Sequence, residues 1–443
     1  MFLLSKLLNL RYNSINILFF SHTRKGDFMY LNCSNKAYNL HIIKTDKFKT
    51  ISVRINFKKL LEKKDITYRN LLGKILLNSN NTYKTKRDLD IETENLYGIG
   101  IGCSNSLMGN YIVTSFNCNF LNEKYTEKDM NKKSIEFLLS LIFDPNIENN
   151  KFKDFDLAKR LVTDEIDSLK DNTKRYSLQR MFEILGKDTP LEYNSVGYKE
   201  DLDPENLIEY YKKMLKSDLI DIFVIGDVDE ESIVETFNKN FNVNTIKRPG
   251  ISHFVNQNIT KLNKVKETLP IEQTNLNIGY KIKDLTEFEK QYVLYIYTFI
   301  LGGSPNSKLF RTVREKNSLC YSINATFKAI YNVLYITVGT NKDDVKKCLS
   351  LIKKEFNKMG KGDFTDNDIE SAKITYINSL KDIEDYQASI LRMYESHIYF
   401  NYDLLDERIE NINKVTKEDI INLHKKINMD TIFVLEGENN EEN

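Results

Sequence analysis

The chain has 443 residues and a mass of 52.0 kDa, 41% of them hydrophobic and 29% charged. At roughly 100–200 residues per domain that length suits two to four domains, and 25 Phe and 25 Tyr supply sizeable cores, which excludes wholesale disorder. With 64 Lys and Arg against 63 Asp and Glu, a net charge of +1 gives no global electrostatic reason to bind nucleic acid or an anionic membrane.

The opening MFLLSKLLNLRYNSINILFF is apolar but broken by Lys6, Asn9, Arg11 and Asn13, with no continuous apolar region and no small-residue cleavage site. Residues 1–28 read as a cytoplasmic tail or short helix rather than a secretion signal, and Met29 makes a plausible alternative start. No apolar run approaches the ~20 residues that a membrane helix needs. The five cysteines, at 33, 103, 118, 320 and 348, are odd in number, widely spaced and free of C-x-x-C. That pattern argues against a disulfide framework or a cysteine zinc site and favours a reducing compartment, hence the cytoplasm.

A strand, TISVRINF, opens the first regular segment, and a mostly apolar helix, YRNLLGKILL, follows it. Two strands with hairpin-like alternation come next, then the helical stretches DMNKKSIEFLLSLIF and FKDFDLAKRLVTDEIDSLK, then a closing strand, DIFVIGD. The pattern then recurs. IDSLKDNTKRYSLQRMFE from Ile166 answers INSLKDIEDYQASILRMYE from Ile377, an offset of 211. DIFVIGD from Asp221 answers TIFVLEG from Thr431, an offset of 210. LYGIGIGCSNSLMGNYIVTSF from Leu96 answers CYSINATFKAIYNVLYITVGT from Cys320. Three segments in one order at one rough offset imply two copies of one α/β unit.

The second copy opens with TNLNIGYKI and the apolar helix FEKQYVLYIYTFIL. In its hairpin, alternation puts Tyr321, Ile323, Ala325 and Phe327 on one face and Ser322, Asn324 and Thr326 on the other. Strands outside β-α-β alternation favour a largely antiparallel sheet with helices on one side. The fold class is therefore α+β, built of two homologous α/β domains. The boundaries fall at 1–28 for the tail, 29–246 for the first domain, 247–273 for a polar linker and 274–443 for the second domain.

Several chemistries are excluded. The five histidines, 22, 41, 253, 397 and 424, are far apart, so H-x-x-E-H, H-E-x-x-H and H-x-x-H are absent. His397 follows Glu395 at i+2, on a different helix face, and reads as a structural histidine. There is no G-x-x-x-x-G-K-[ST] and no G-x-S-x-G. Gly98, Gly100 and Gly102 precede a strand, which argues against a dinucleotide fingerprint. LGGSP at 301–305 reads as a helix stop and turn. Short basic runs such as KK and KR are interleaved with acids, as on solvated helices, which disfavours nucleic-acid binding.

LGGSPNSKLFRTVREKNSLCYSI, Leu301 to Ile323, resembles the C-terminal half of insulinase/pitrilysin-type zinc peptidases. That family shows Leu-Gly-Gly, a Ser, Leu-Phe, Val-Arg-Glu-Lys, a turn and Leu-x-Tyr-Ser in this order. EQTNLNIGYK looks like the strand opening its second domain, and DIFVIGDVDE like the strand ending its first. The opening HIIKTDKFKTISVRINF, with TYRNLL and ENLYG, resembles a bacterial subgroup that lacks the zinc-binding sequence and occurs beside a zinc-binding sister chain.

The resemblance implies a clam-shell of which this chain forms one half, and it locates the site. The family's His-x-x-Glu-His falls here on Asn70-Leu71-Leu72-Gly73-Lys74, so Asn70 and Lys74 replace the two His and Gly73 the Glu. A lysine at a ligand position repels Zn²⁺ at neutral pH. Glu165 matches the third ligand and, without its companions, reads as a surface or salt-bridged glutamate. Metal in this chain is therefore expected to be absent, with zinc in a partner subunit.

Arg314 and Tyr321 match the Arg and Tyr that face the zinc in the family. A tyrosine hydroxyl can donate to a tetrahedral oxyanion, and a guanidinium can bind a peptide carbonyl or terminus. The ordinary alternative is that Arg314 pairs with an acid and Tyr321 belongs to an apolar strand face. The reading is a noncatalytic subunit of a heterodimeric zinc endopeptidase, inactive alone, that acts on peptides or unfolded segments with a homologous zinc-bearing subunit. No nucleic acid and no membrane insertion are expected. The alternative from another class is a non-enzymatic scaffold or peptide-binding module of the same fold.

Overall fold

A computed structural model describes residues 18–25, 28–241 and 252–437. In chain order come β1 (Leu18–Lys25), β2 (Phe28–Ser34), β3 (Asn39–Lys44), β4 (Thr50–Leu60), α1 (Lys63–Leu76), α2 (Lys86–Asn95), β5 (Gly100–Met108) and β6 (Tyr111–Leu121). There follow α3 (Met130–Phe143), the short hairpin β7 (Ile147–Glu148) and β8 (Lys151–Phe152), α4 (Phe155–Asp167), α5 (Thr173–Leu185), α6 (Leu207–Ser217), β9 (Leu219–Gly226) and α7 (Glu230–Asn240). The remainder holds β10 (Asn263–Leu269), β11 (Thr274–Ile282), α8 (Leu294–Leu301), β12 (Cys320–Lys328), β13 (Val333–Thr340), α9 (Val345–Gly360), α10 (Asp366–Lys381), α11 (Gln387–Phe400), α12 (Leu405–Asn413), α13 (Lys417–Lys426) and β14 (Ile427–Gly437). The described residues divide into two units. The first lies within Met1–Asp167, Ser195–Ile251 and Gln387–Leu391, the second within Ser168–Asn194, Ser252–Tyr386 and Arg392–Asn443.

The first unit is a seven-stranded sheet in the order β1-β2-β3-β9-β4-β6-β5, antiparallel except for the pair β3–β9. Strand alternation sends Ile51, Val53, Ile55 and Phe57 of β4 into one core, where Leu71, Leu72 and Ile75 of α1 and Leu138, Leu141 and Ile142 of α3 meet them. A polar network fixes the rotation of α1. Asp65 Oδ2 accepts from the Glu62 backbone N at 2.7 Å, and Lys59 sits 2.9 Å from the same carboxylate. Tyr210 donates to Asp65 at 2.7 Å and accepts from Arg69 Nε at 2.9 Å, while Arg69 Nη2 meets Asp218 at 2.5 Å. Arg69 and Asp218 are both buried, so each charge depends on the other.

The expected tail gives way to strand over Leu18–Lys25, which pairs antiparallel with β2. Phe19, Phe20 and Thr23 are residue types that favour extended backbone. The rest of the N-terminal reading, residues 1–17 and 26–27, lies outside the described residues.

The second unit has a five-stranded sheet, β10-β14-β11-β13-β12, with one parallel pair, β10–β14. Its order matches β3-β9-β4-β6-β5 strand for strand, and the parallel pair falls in the same place. The duplication read from sequence is thus a duplicated topology. Part of the stretch expected as a linker, 247–273, is sheet, because β10 stands where β3 stands in the first copy. NKVKETL hid this strand: its alternate residues Lys264, Lys266 and Thr268 are exposed, the charged dress of a sheet edge. α8 continues a π-helical turn over Glu289–Val293 and stops at Gly302. Gly302 O accepts from Ala325 N at 3.3 Å, and a Cβ at Gly302 would lie 2.8 Å from the Ala325 Cβ. The glycine therefore lets the helix end press against β12.

The repeated motif marks an exchange, of one whole helix in one direction and the first turn of α11 in the other. α5, from the first copy, belongs to the second unit: Asn277 of β11 donates to Ser177 at 2.6 Å, and a Cβ at Gly279 would meet Leu185 Cδ2 at 2.7 Å. The matching segment of the second copy, Gln387–Leu391, belongs to the first unit. There Gln387 Nε2 donates to Thr50 O at 2.7 Å, and its Oε1 accepts from Thr50 Oγ1, Ser52 Oγ and Asn119 Nδ2 within 3.1 Å. Overpacking of this kind costs about 1–3 kcal/mol. Gly279→Val should lower unfolding stability by that amount in denaturant titration, and adding Leu185→Ala should return part of the loss. A strictly additive double variant would contradict the contact.

Candidate functional site

Thr67, Asn70 and Lys74 share one face of α1 at helical spacing, with the apolar residues turned to the sheet. The structure brings Lys74 and Glu165 together: Nζ lies 2.6 Å from Oε1, linking α1 to α4, with the lysine half-buried and the glutamate exposed. The ammonium occupies the carboxylate's approach to α1. Asn70 is equally committed. Its Nδ2 donates to the carbonyls of Ser195 and Val196 at 3.0 and 2.7 Å, and its Oδ1 accepts from Asn105 Nδ2 at 2.9 Å. Asn105 Oδ1 in turn accepts from Thr114 Oγ1 at 2.6 Å. The Tyr198 backbone N donates to Thr67 Oγ1 at 2.9 Å, and Gly197 takes φ +122°, which lets the 195–198 segment lie flat on α1.

Gly73 faces β5, where a Cβ would stand 2.9 Å from Cys103 Sγ. A glutamate cannot return to this position unless Cys103 yields. Burial pushes the Cys103 thiol up to about 12, so it is neither a thiolate ligand nor a nucleophile at neutral pH. These groups do not fit zinc. The Asn70 amide spends its donors on carbonyls, Gly73 offers no base and the Lys74 ammonium cannot ligate a cation. Among the described residues no group of three or more His, Cys, Asp or Glu could hold a metal ion.

Arg314 and Tyr321 lie in the second unit, Asn70, Gly73, Lys74 and Glu165 in the first. Arg314 projects from a π-helical turn, Phe310–Glu315, into solvent, with its guanidinium 4.7 Å from the Phe310 ring centroid. It makes no ion pair among the described residues. Tyr321 departs from the alternation expected for its strand. The pairing shifts between Cys320 opposite Thr340 and Ser322 opposite Gly339, so Tyr321 is the extra residue of a β-bulge. Ile323 and Ala325 stay buried, while Tyr321 turns outward and is 62% exposed. Bulges re-aim side chains in this way. The Tyr321 hydroxyl donates to Asn341 Oδ1 at 3.3 Å, and Asn341 Nδ2 donates to Asp344 at 3.3 Å. An exposed hydroxyl and an exposed guanidinium close in sequence, neither spent on a buried partner, can serve an outside ligand. His397 is structural, with Nδ1 2.8 Å from Tyr402 O.

Sequence reasoning missed Asn105, Cys103 and Asn341. None belongs to a motif; each matters only through the neighbour that the sheet register brings to it. The shift at Tyr321 also left no trace, since the bulge interrupts an otherwise regular alternation.

The family model described as Peptidase M16 inactive domain matches residues 201–376. Over that stretch, less than half of the chain, the protein is similar to M16-type peptidase homologues. In particular, it is similar to the Bacillus subtilis protein named Probable inactive metalloprotease YmfF, with 28% identity over 419 residues, 92% of this chain and 97% of that one. A conserved protein from Enterococcus faecalis has a similar structure, with a TM-score of 0.87, 26% identity and coverage of 94% of this chain and 100% of that chain. A peptidase M16 inactive domain from Pseudomonas fluorescens shares the fold at a TM-score of 0.76, with 15% identity over 96% of this chain and 98% of its own.

Calorimetric titration with Zn²⁺ should show no site at α1 in the wild-type chain. Asn70→His with Lys74→His should create one that is lost on Glu165→Gln. Gly73→Ala should destabilise the chain by about 1–3 kcal/mol, and Cys103→Ala should relieve part of that cost in the double variant. Zinc uptake by the double-His variant that ignores Glu165 would refute the assignment of Glu165 to the vestigial ligand set.

Proposed function

We propose that the chain is the noncatalytic subunit of a heterodimeric zinc endopeptidase acting on peptides or unfolded segments. The observation that carries this reading is the contrast between the two sites. Lys74 is locked on Glu165 where a metal would need ligands, whereas Arg314 and Tyr321 remain exposed and are turned outward by a π-turn and a bulge. In this reading the homologous partner supplies the zinc and the general base. The Tyr321 hydroxyl donates to the oxyanion of the tetrahedral intermediate, and Arg314 binds a substrate carbonyl or terminus. Strand β5 supports a third role. It ends its sheet, and Gly100–Met108 carries no charged side chain that would repel an added strand. The free thiols Cys33, Cys103, Cys118, Cys320 and Cys348 suit a reducing, cytoplasmic setting.

A second reading, a non-enzymatic scaffold or peptide-binding module, is favoured by the word "inactive" in the names of the matched family and relative. The experiment mixes this chain with a sister chain that bears His-x-x-Glu-His and follows a quenched peptide. Cleavage should need both chains. Tyr321→Phe should lower kcat by about 10²–10³, the usual loss for one oxyanion donor, and Arg314→Ala should weaken turnover with thermal stability unchanged. Peptide binding without cleavage in every mixture, or full activity of the Tyr321→Phe and Arg314→Ala pairs, would transfer the case to the scaffold reading.

A further inference from the structure

The helix α9 carries an unpaired basic face. Its sequence, VKKCLSLIKKEFNKMG, places Cys348, Ile352, Glu355, Phe356 and Met359 against the second unit's core. The opposite side, an arc of about 120°, holds Lys346, Lys347, Ser350, Lys353, Lys354 and Asn357, and Lys361 just past the helix end continues it. All are exposed except Lys353, which is half-buried. No acid lies within that arc. The helix's own glutamate, Glu355, is buried and bonded to Lys358 at 2.9 Å. Asp343 and Asp344 sit before the first turn, and Asp363 lies beyond Lys361, near Lys308 and Lys358.

None of Lys346, Lys347, Lys353, Lys354 or Lys361 forms an ion pair with any described residue. Some exposed lysines elsewhere are matched, as in Lys86–Asp90, Lys212–Glu209 and Lys414–Glu410, and others such as Lys133 and Lys213 stand unpaired among the described residues without five lysines sharing one face. The expectation that basic runs are interleaved with acids therefore fails on this helix: the helical period collects the lysines on one side and buries the one acid among them.

We propose that the outward face of α9 is an electrostatic docking surface for an anionic lipid bilayer. The five lysines span roughly 22 Å along one straight helix, a line of point charges that can sit on a charged plane. The face has no Arg for bidentate phosphate recognition and no aromatic ring on which a base could stack, which disfavours a nucleic acid. It also has no apolar side chain to insert, so binding is by charge alone and stays at the headgroups. No helix among the described residues is long and apolar enough to cross a membrane. The proposal is independent of the peptidase reading and places the chain on the surface of a membrane.

The test is co-sedimentation of the full chain with vesicles. It should pellet with phosphatidylglycerol–phosphatidylcholine vesicles, remain in solution with phosphatidylcholine alone, and be released as salt is raised. At about fivefold per lysine near an anionic surface, the variant Lys346→Gln, Lys347→Gln, Lys353→Gln, Lys354→Gln should lose at least tenfold in partitioning while melting as the wild type does. An equal charge change at four paired lysines, 63, 86, 212 and 414, should leave binding intact. Equal binding of the α9 variant, binding to neutral vesicles, no binding to anionic ones, or capture of RNA through α9 in preference to lipid would each overturn the proposal.

Discussion

The buried pair of Arg69 and Asp218, with Tyr210, Asp65 and Lys59 attached, decides how α1 is turned. Two buried charges tolerate little displacement, because breaking such a pair strands an uncompensated ion in the interior. With the rotation so fixed, the next residue, Asn70, reaches the 195–198 segment, Gly73 faces Cys103 and Lys74 faces Glu165. The role of each side chain follows from this orientation: Asn70 is an anchor, Gly73 a close-contact position and Lys74 a counter-ion to Glu165.

Much of this was legible in the sequence because it rests on local rules. The two copies, the antiparallel sheets and the core-facing helices all follow from periodicity and repeat offset. What could not be read depends on partners far apart in the chain. NKVKETL looked like linker because its exposed lysines mask a backbone that pairs in parallel with β14. The alternation grouped Tyr321 with Ile323 and Ala325 because a bulge has no signature in a run of alternating side chains. The lysines of α9 looked diluted by acids until the helix turned Glu355 inward. In each case the local pattern was right and the tertiary setting changed its meaning.

The two halves of the chain have diverged along different routes while keeping one strand order. In the first, Asn70 and Lys74 on α1 are engaged in hydrogen bonds and an ion pair. In the second, the π-turn under Arg314 and the bulge at Tyr321 hold polar groups out of the core. Irregular backbone of this kind is costly to keep and is found where a side chain must point away from its element's natural direction.

The trade of α5 for Gln387–Leu391 means that neither half is a self-sufficient fragment of the polypeptide. A cut between the copies would leave one piece carrying a helix whose seat is elsewhere, and the other with Gly279 facing an empty socket instead of Leu185. Duplication of an ancestral unit therefore ended in mutual dependence, and a gene split at that point could work only if both products were made together and reassembled.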